Sequence, residues 1–312
     1  MPRLAAAGLL LVTTMLWGFA FVAQKTAMDN MEPLTFTGVR FAIGALLVLP
    51  LAVGEYRRRR PVISTTDRIL IGIVAVAFFL GSWLQQAGLS LTTVTNSGFL
   101  TSLYVLMVPI LALVVLRQSP HPVVWIGMPM ALAGVWCLNG GRLDAFNPGD
   151  LLVIACAVCW AVQVLLLGRV AKSTGLPLTV SVLCFAVTGL LAGGGAFAFE
   201  TPTWDGIAAG WLEIAYAAVL STAVGFTLQA VAQQYVPPSN AAIILSAEGL
   251  FAALGAAVLL GERLTLLGYA GTALIFAAIL LVEVIPALRA RGASAADAVP
   301  LPLKAASNAS PD

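Results

Sequence analysis

Long apolar runs separated by short polar stretches extend along almost the whole chain. Each run holds about 20 residues with few charges, the length that a helix needs to cross the hydrocarbon core of a bilayer. The strand-like alternation of an outer-membrane barrel is absent. The pattern therefore predicts an all-α integral membrane protein with ten transmembrane helices. The ten runs lie at 6–24, 34–53, 69–89, 94–116, 122–139, 150–170, 177–199, 207–234, 238–260 and 264–285.

The two halves of the chain share residues at a fixed separation of 144 positions, which aligns Gln85 with Gln229 and Pro33 with Pro177. Because each half contains five helices, an odd number, the second half must enter the membrane in the opposite orientation. Inverted repeats around a midplane site are typical of alternating-access transporters. The predicted organisation has three parts: a first five-helix repeat at 1–146, a second inverted five-helix repeat at 147–286, and a disordered cytoplasmic tail at 287–312.

Composition and charge place this architecture in a membrane and orient it. The chain is 60% hydrophobic and 10% charged, whereas soluble domains carry about 25% charged residues. With the N-terminus in the cytoplasm, twelve of the sixteen basic residues lie on the cytoplasmic side, including the run Arg57–Arg60. The positive-inside rule thus predicts cytoplasmic N and C termini and a multi-pass protein of the bacterial inner membrane. The arginine run serves topology, so no nucleic-acid partner is expected.

Motifs of enzyme chemistry are missing from the sequence. It contains no H-E-x-x-H and no G-x-S-x-G motif, and its only histidine, His121, lies in a predicted loop. The four cysteines fall in apolar runs and are interpreted as packing residues, so no metal site is expected. An enzyme is therefore not expected, and scarce pore charge disfavours a channel. No cofactor is predicted, while proton coupling stays open.

Polar and aromatic residues inside the spans predict a substrate cavity built from both halves. Side-chain amides offer donors and acceptors without fixed charge, which suits a neutral or zwitterionic substrate. Any single glutamine could instead join two helices. The candidate substrate-binding residues are Trp17, Gln24, Gln85, Gln86, Asn96, Tyr104, Trp160, Gln163, Gln229, Asn240 and Glu248.

Two charged residues lie inside predicted spans. Glu248 falls near mid-bilayer, where an ionised carboxylate needs a partner, water or a proton. It either binds a proton or a substrate amine, or is a structural carboxyl bonded to neighbouring helices. Arg40 could bind a substrate carboxylate through its planar guanidinium. The sequence favours a structural role instead, in which Arg40 snorkels outward or pairs with Asp29, Glu32 or another acidic group and so ties helices together.

Three segments carry a resemblance to a known family. The stretch W-G-F-A-F-V-A-Q-K at 17–25, followed by Pro33 and Arg40, is similar to the first repeat of the EamA family in the drug/metabolite transporter superfamily. The segments 98–109 and 240–265 resemble the same family. The resemblance implies a secondary transporter of small metabolites, in particular an exporter of amino acids including aromatic ones. A multidrug exporter of lipophilic cations is the alternative, because Glu248 would suit a cation.

Overall fold

The predicted apolar runs form helices in the part of the chain that the structure describes. The structure, a computed structural model, describes residues 1–92, 94–138, 140–141, 147–259 and 265–297, with the backbone alone at 94–96, 138, 253, 255–259, 283–284 and 286–297. No strand occurs in these residues, so the predicted all-α class is confirmed. The helices in chain order are α1 Arg3–Ala27, α2 Pro33–Arg59, α3 Thr65–Leu91, α4 Val94–Thr101, α5 Tyr104–Val114, α6 Val124–Leu138, α7 Pro148–Thr174, α8 Pro177–Phe199, α9 Trp204–Ala209, α10 Trp211–Ala215, a π-helical segment Tyr216–Phe226, α11 Thr227–Ala232, α12 Pro238–Leu245, α13 Glu248–Leu259 and α14 Leu266–Asp297.

Many of these helices have the length and hydropathy of membrane spans. Within the described residues, seven stretches are long and apolar enough to cross a bilayer, judged by length and composition. Two shorter apolar helices lie at Val124–Cys137 and Leu266–Val282. The chain is thus a multi-span membrane protein, and the count of ten spans stays a prediction. The seven stretches are Arg3–Ala27, Pro33–Arg59, Thr65–Leu91, Ser97–Val114, Pro148–Thr174, Pro177–Phe199 and Trp211–Ala232.

Local sequence signals explain where several helices begin. Pro33, Pro148 and Pro177 occupy the first turns of α2, α7 and α8, where a missing N–H removes no helical hydrogen bond. Asn147 caps α7 by accepting a hydrogen bond from the backbone N–H of Asp150, whose side chain accepts one from the backbone N–H of Asn147. Residues close in sequence therefore mark where these three helices begin.

Helices α2 and α8 pack antiparallel and very close together. A Cβ atom at Gly38 would lie 2.8 Å from the Cα atom of Gly193 on the facing helix. Small residues at such contacts let helix backbones approach closely within a membrane. The other extensive helix pairs are α3 with α7, α6 with α14 and α1 with α13.

A carboxylate from each of α2 and α8 caps the N-terminus of the other helix. Glu200, after the end of α8, accepts hydrogen bonds from the backbone N–H and the hydroxyl of Thr35 at 2.7 and 2.8 Å. It also accepts one from the backbone N–H of Leu34 at 2.7 Å. Glu55, near the end of α2, accepts hydrogen bonds from the backbone N–H and the hydroxyl of Thr179, each at 2.8 Å. It also accepts one from the backbone N–H of Leu178 at 3.3 Å. We term these contacts the two carboxylate caps. They hold both ends of the α2–α8 pair together.

The last helix is longer than the sequence analysis predicts. Helix α14 continues to Asp297, so residues 287–297, expected to belong to a disordered tail, are helical here. Alanine is frequent in this stretch, and alanine has the highest helix propensity of all residues. The rest of the predicted tail, 298–312, lies outside the described residues.

Candidate functional site

A narrow cavity with a buried lining lies between helices of both halves of the chain. The centres of water-sized molecules can occupy about 40 Å³ of it, which is room for about three waters. A molecule larger than a few waters would therefore need the surrounding helices to move apart. Nine of the twelve residues singled out in the sequence line this cavity, namely Trp17, Gln24, Arg40, Gln85, Tyr104, Trp160, Gln163, Gln229 and Glu248.

Two helices break beside the cavity at positions related by the 144-residue repeat. Helix α4 ends at Thr101 and α5 begins at Tyr104. Likewise, α12 ends at Leu245 and α13 begins at Glu248. Irregular backbone inside a membrane protein is tolerated where it lines a cavity or is buried in protein. Paired breaks in equivalent helices are also a feature of transporter substrate sites.

A serine lies in each break and bonds back to the preceding turn. Ser102 Oγ donates to the carbonyl oxygen of Gly98 at 2.8 Å, and Ser246 Oγ donates to that of Ile243 at 2.7 Å. A serine hydroxyl that bonds to helix carbonyls often bends the helix. Neither break is predicted by the apolar pattern, although the two serines, 144 positions apart, are a signal for them.

The first residues after the two breaks meet inside the cavity. Tyr104 Oη donates a hydrogen bond to Glu248 Oε1 at 3.4 Å, and the two residues are only 3% and 4% exposed. An O–H···O contact of this length is a weak hydrogen bond. A carboxylate can accept about four hydrogen bonds, so Glu248 retains the capacity to hold a proton or a substrate ammonium group.

Aromatic rings from both halves form one wall of the cavity. The ring centroid of Trp17 lies 4.4 Å from that of Phe226, and that of Trp160 lies 5.7 Å from Phe226 in a stacked arrangement. Trp17 Nε1 donates to the carbonyl oxygen of Ser221 at 3.2 Å in the π-helical segment. Trp17 and Trp160, one from each half of the chain, thus share a contact with Phe226, a residue that was not among the candidates.

The amides of Gln163 and Gln229 form a reciprocal pair between α7 and α11. Gln163 Nε2 donates to Gln229 Oε1 at 3.1 Å, and Gln229 Nε2 donates to Gln163 Oε1 at 3.2 Å. On another side of the cavity, Gln85 Nε2 donates to Thr101 Oγ1 at 3.4 Å. Amide groups therefore both join helices and present polar atoms to the cavity.

Gln163→Leu and Gln229→Leu should show strong energetic coupling. Each single variant leaves the partner amide buried without its hydrogen bonds, which costs about 2 kcal/mol of unfolding free energy. The double variant removes both groups, so its loss should fall about 1 to 2 kcal/mol short of the sum of the single losses. Equilibrium unfolding of the four proteins in mixed micelles measures this difference.

A pair without mutual contact provides the control. Gln86 Nε2 donates to the backbone carbonyl oxygen of Gln24 at 3.0 Å, whereas Gln163 bonds to Gln229. Because the two residues share no partner, the losses of unfolding free energy for Gln86→Leu and Gln163→Leu should add within about 0.5 kcal/mol. Additive losses for Gln163→Leu and Gln229→Leu would contradict the reciprocal amide pair.

Two of the candidate residues whose side chains the structure describes do not line the cavity. Gln86 joins α3 to α1 through its bond to Gln24. Asn240 Nδ2 donates to the carbonyl oxygen of Val282 at 2.8 Å and so joins α12 to α14. The side chain of Asn96 lies outside the described residues. Gln86 and Asn240 therefore connect helices, which is the alternative role that membrane glutamines and asparagines commonly have.

The structure corrects two of the contacts expected for Arg40, namely snorkelling to a membrane surface and pairing with Asp29 or Glu32. The residue is only 2% exposed, so its side chain does not snorkel to a membrane surface. Among the described residues its guanidinium has no hydrogen bond and no ion pair, and therefore none with Asp29 or Glu32. Glu32 instead accepts a hydrogen bond from the backbone N–H of Thr201 at 2.9 Å. Arg40 lines the cavity.

Several cavity residues escaped the sequence analysis. Helical spacing could have found some of them, because side chains three or four residues apart share a helix face. Phe21 lies four residues after Trp17, and Phe226 lies three before Gln229. The cavity residues that were not predicted are Phe21, Thr101, Val164, Ser221, Phe226 and Leu245.

The fold and this cavity define a class of protein, namely a helical multi-span membrane protein with a buried polar site among its spans. Comparison with known proteins identifies the family. The model of the EamA-like transporter family matches residues 4–140 and again residues 147–284. The chain therefore belongs to this family of transporters, which is not an enzyme class.

Individual relatives agree with this assignment. An uncharacterized transporter from Archaeoglobus fulgidus is 34% identical over 277 residues, which is 88% of this chain and 84% of the relative. The uncharacterized inner membrane transporter YedA of Escherichia coli is 23% identical over 285 residues, or 88% of this chain and 89% of YedA. The threonine/homoserine exporter RhtA of Salmonella typhimurium is 30% identical over 158 residues, covering 49% of this chain and 52% of RhtA.

The fold also has a counterpart among solved structures. One crystal structure superposes with a TM-score of 0.75 and covers 91% of this chain and 98% of its own. The sequence identity is 18%, so the similarity concerns the fold alone.

Proposed function

We propose that this protein is a secondary transporter that exports amino acids across the bacterial inner membrane by alternating access. The observation that carries the proposal is the contact of Tyr104 with Glu248, at equivalent helix breaks, inside a buried polar cavity. Secondary transporters commonly build their substrate sites from such discontinuous helices. A substrate held there would be released on either side as the two halves rock.

The directions of equivalent helices support two inverted five-helix repeats. Helices α2 and α8 correspond under the 144-residue shift, yet the carboxylate caps show that they run antiparallel. Helices α7 and α3 also run in opposite directions, because Ser173 Oγ near the end of α7 donates to Asp67 Oδ1 near the start of α3 at 2.7 Å. With α4–α5 and α12–α13 each taken as one broken span, the described helices are compatible with ten spans. Most basic residues lie on the same side of the membrane as the N-terminus in the predicted topology, which supports cytoplasmic termini.

The chemistry of the cavity supports amino acids as substrates. Its lining combines neutral amides, aromatic rings, the Glu248 carboxyl and the Arg40 guanidinium, which together match a small zwitterion with a variable side chain. The similarity to RhtA, named a threonine/homoserine exporter, points the same way. The similarity to YedA, named an inner membrane transporter, supports the bacterial inner membrane as the location.

Counterflow of labelled amino acids into proteoliposomes tests the proposed function. We expect saturable flux of neutral amino acids by the native protein. Glu248→Gln should reduce this flux at least about tenfold, because an amide cannot replace the charge-assisted bond to an ammonium group. If Glu248 also carries a coupled proton, the response to an imposed pH gradient should disappear in the variant.

Glu213→Gln is the matched control for this substitution. Glu213 lies in α10 and accepts a hydrogen bond from the Thr26 hydroxyl at 3.3 Å, outside the cavity, so its variant should keep native flux. Folded native protein without amino-acid flux would overturn the proposal. Flux of lipophilic cations in the same vesicles would then favour a multidrug exporter, which the buried carboxyl and the aromatic wall would also suit.

A further inference from the structure

Arg40 is a buried cation without an anionic partner among the described residues. It lies seven residues after the start of α2, and its Nε atom is buried without a hydrogen bond. The guanidinium carbon lies 5.2 Å from the ring centroid of Phe36 and 4.5 Å from that of Phe41. Cation–π contacts contribute less than the desolvation of a buried charge costs. The described contacts of Arg40 therefore leave its charge uncompensated.

The surroundings of Arg40 select among possible anions. Among the described residues that line the cavity, Arg40 is the only basic one, and the lining also contains the acidic Glu248. A phosphate dianion would meet one cation and one acidic group, which leaves its second charge without compensation. A carboxylate carries a single charge and matches the planar fork of a guanidinium in two parallel hydrogen bonds. The narrow cavity restricts this carboxylate to a small molecule.

We propose that Arg40 binds the α-carboxylate of the transported amino acid, while Glu248 faces its ammonium group. This inference rests on the proposed function and specifies how the site recognises its substrate. It predicts selection for molecules that carry both charges. Amines without the carboxylate and acids without the amine should each lose one of the two contacts.

A comparison of one amino acid with its α-amide tests the inference in the native protein. The amide keeps the ammonium group and side chain but has no carboxylate. We expect the amide to compete at least about tenfold more weakly in counterflow, since a charge-assisted bond to arginine is lost. It should also produce a smaller increase in thermal stability on binding. Equal competition and equal thermal stabilisation would overturn the role of Arg40 without any variant.

Variants then assign the preference to Arg40. Arg40→Gln should reduce amino-acid flux about tenfold and remove the preference for the amino acid over its α-amide. Arg40→Lys should restore part of this preference. Lys25→Gln is the matched control, because Lys25 Nζ donates to the carbonyl oxygens of Leu89 and Thr92 outside the cavity. That variant should keep the native preference.

The outcomes separate this inference from the proposed function. If folded Arg40→Gln protein keeps the preference for the amino acid over its α-amide, the carboxylate site at Arg40 is wrong, while amino-acid transport is unaffected. A complete lack of amino-acid flux in the native protein would contradict both the carboxylate site and the proposed function. Flux that depends on chloride, shown by its replacement with methanesulfonate, would assign Arg40 to an inorganic anion and overturn the carboxylate site.

Discussion

Gly18→Ala is expected to lower the free energy of unfolding by about 3 kcal/mol, because it overpacks a contact between backbones. Gly18 lies where α1 contacts α13. A Cβ atom at this position would lie 2.5 Å from Phe251 Cβ, 2.6 Å from Ala252 N and 2.7 Å from Glu248 O. Two of these three atoms belong to the backbone, so no change of rotamer relieves the overlap. The helices must separate, and the turn that carries Glu248 into the cavity moves with them.

Gly8→Ala on the same helix is the matched control. A Cβ atom at Gly8 would have no neighbour within 4 Å, and alanine is favoured over glycine in a helix by about 1 kcal/mol. Thermal unfolding of both purified variants in the same detergent measures the difference. We expect Gly8→Ala to unfold at or above the native midpoint and Gly18→Ala well below it. Equal midpoints would contradict the close contact of α1 with α13.

Removal of the two carboxylate caps is also expected to cause a large loss of unfolding free energy. Glu55→Ala and Glu200→Ala should each cost about 2 to 3 kcal/mol of unfolding free energy, since each carboxylate accepts three hydrogen bonds at a helix N-terminus. The caps lie at opposite ends of α2, about 30 Å apart for roughly twenty helical residues. The double variant should therefore lose nearly the sum of the single losses.

Equilibrium unfolding in mixed micelles tests the caps with Glu213→Ala as control. Glu213 accepts a hydrogen bond from the Thr26 hydroxyl at 3.3 Å, and its loss should cost no more than about 0.5 kcal/mol. Losses for Glu55→Ala and Glu200→Ala that are as small as this would exclude the caps as stabilising contacts. Similar losses at the two caps would support the equivalence of the two repeats.

The helices could be predicted because the bilayer leaves the backbone few choices. Without water, backbone N–H and C=O groups must pair within the protein, so an apolar run of sufficient length forms a helix. The breaks before Tyr104 and Glu248 could not be predicted in this way. They interrupt continuous apolar runs, and a local hydroxyl such as that of Ser102 or Ser246 interrupts a helix only where neighbouring helices leave space for the altered backbone.

The candidate site shows the same division. Gln85 and Gln86 are adjacent and chemically identical, yet residues one apart point about 100° away from each other on a helix. Gln85 therefore lines the cavity, while Gln86 bonds to the backbone of Gln24. Polarity alone marked both residues. Which of them faces the cavity depends on how α3 is rotated against α1, and packing sets that rotation.

The sequence by itself determined the all-helical membrane class, the 144-residue repeat and the set of polar residues within the apolar runs. These features depend on composition, length and spacing, all of which are local or additive along the chain. Only the tertiary structure decided which polar residues share a cavity, that Tyr104 meets Glu248, and that Arg40 has no acidic partner among the described residues. Those relations depend on contacts between helices far apart in sequence, and the packing of the whole bundle determines them.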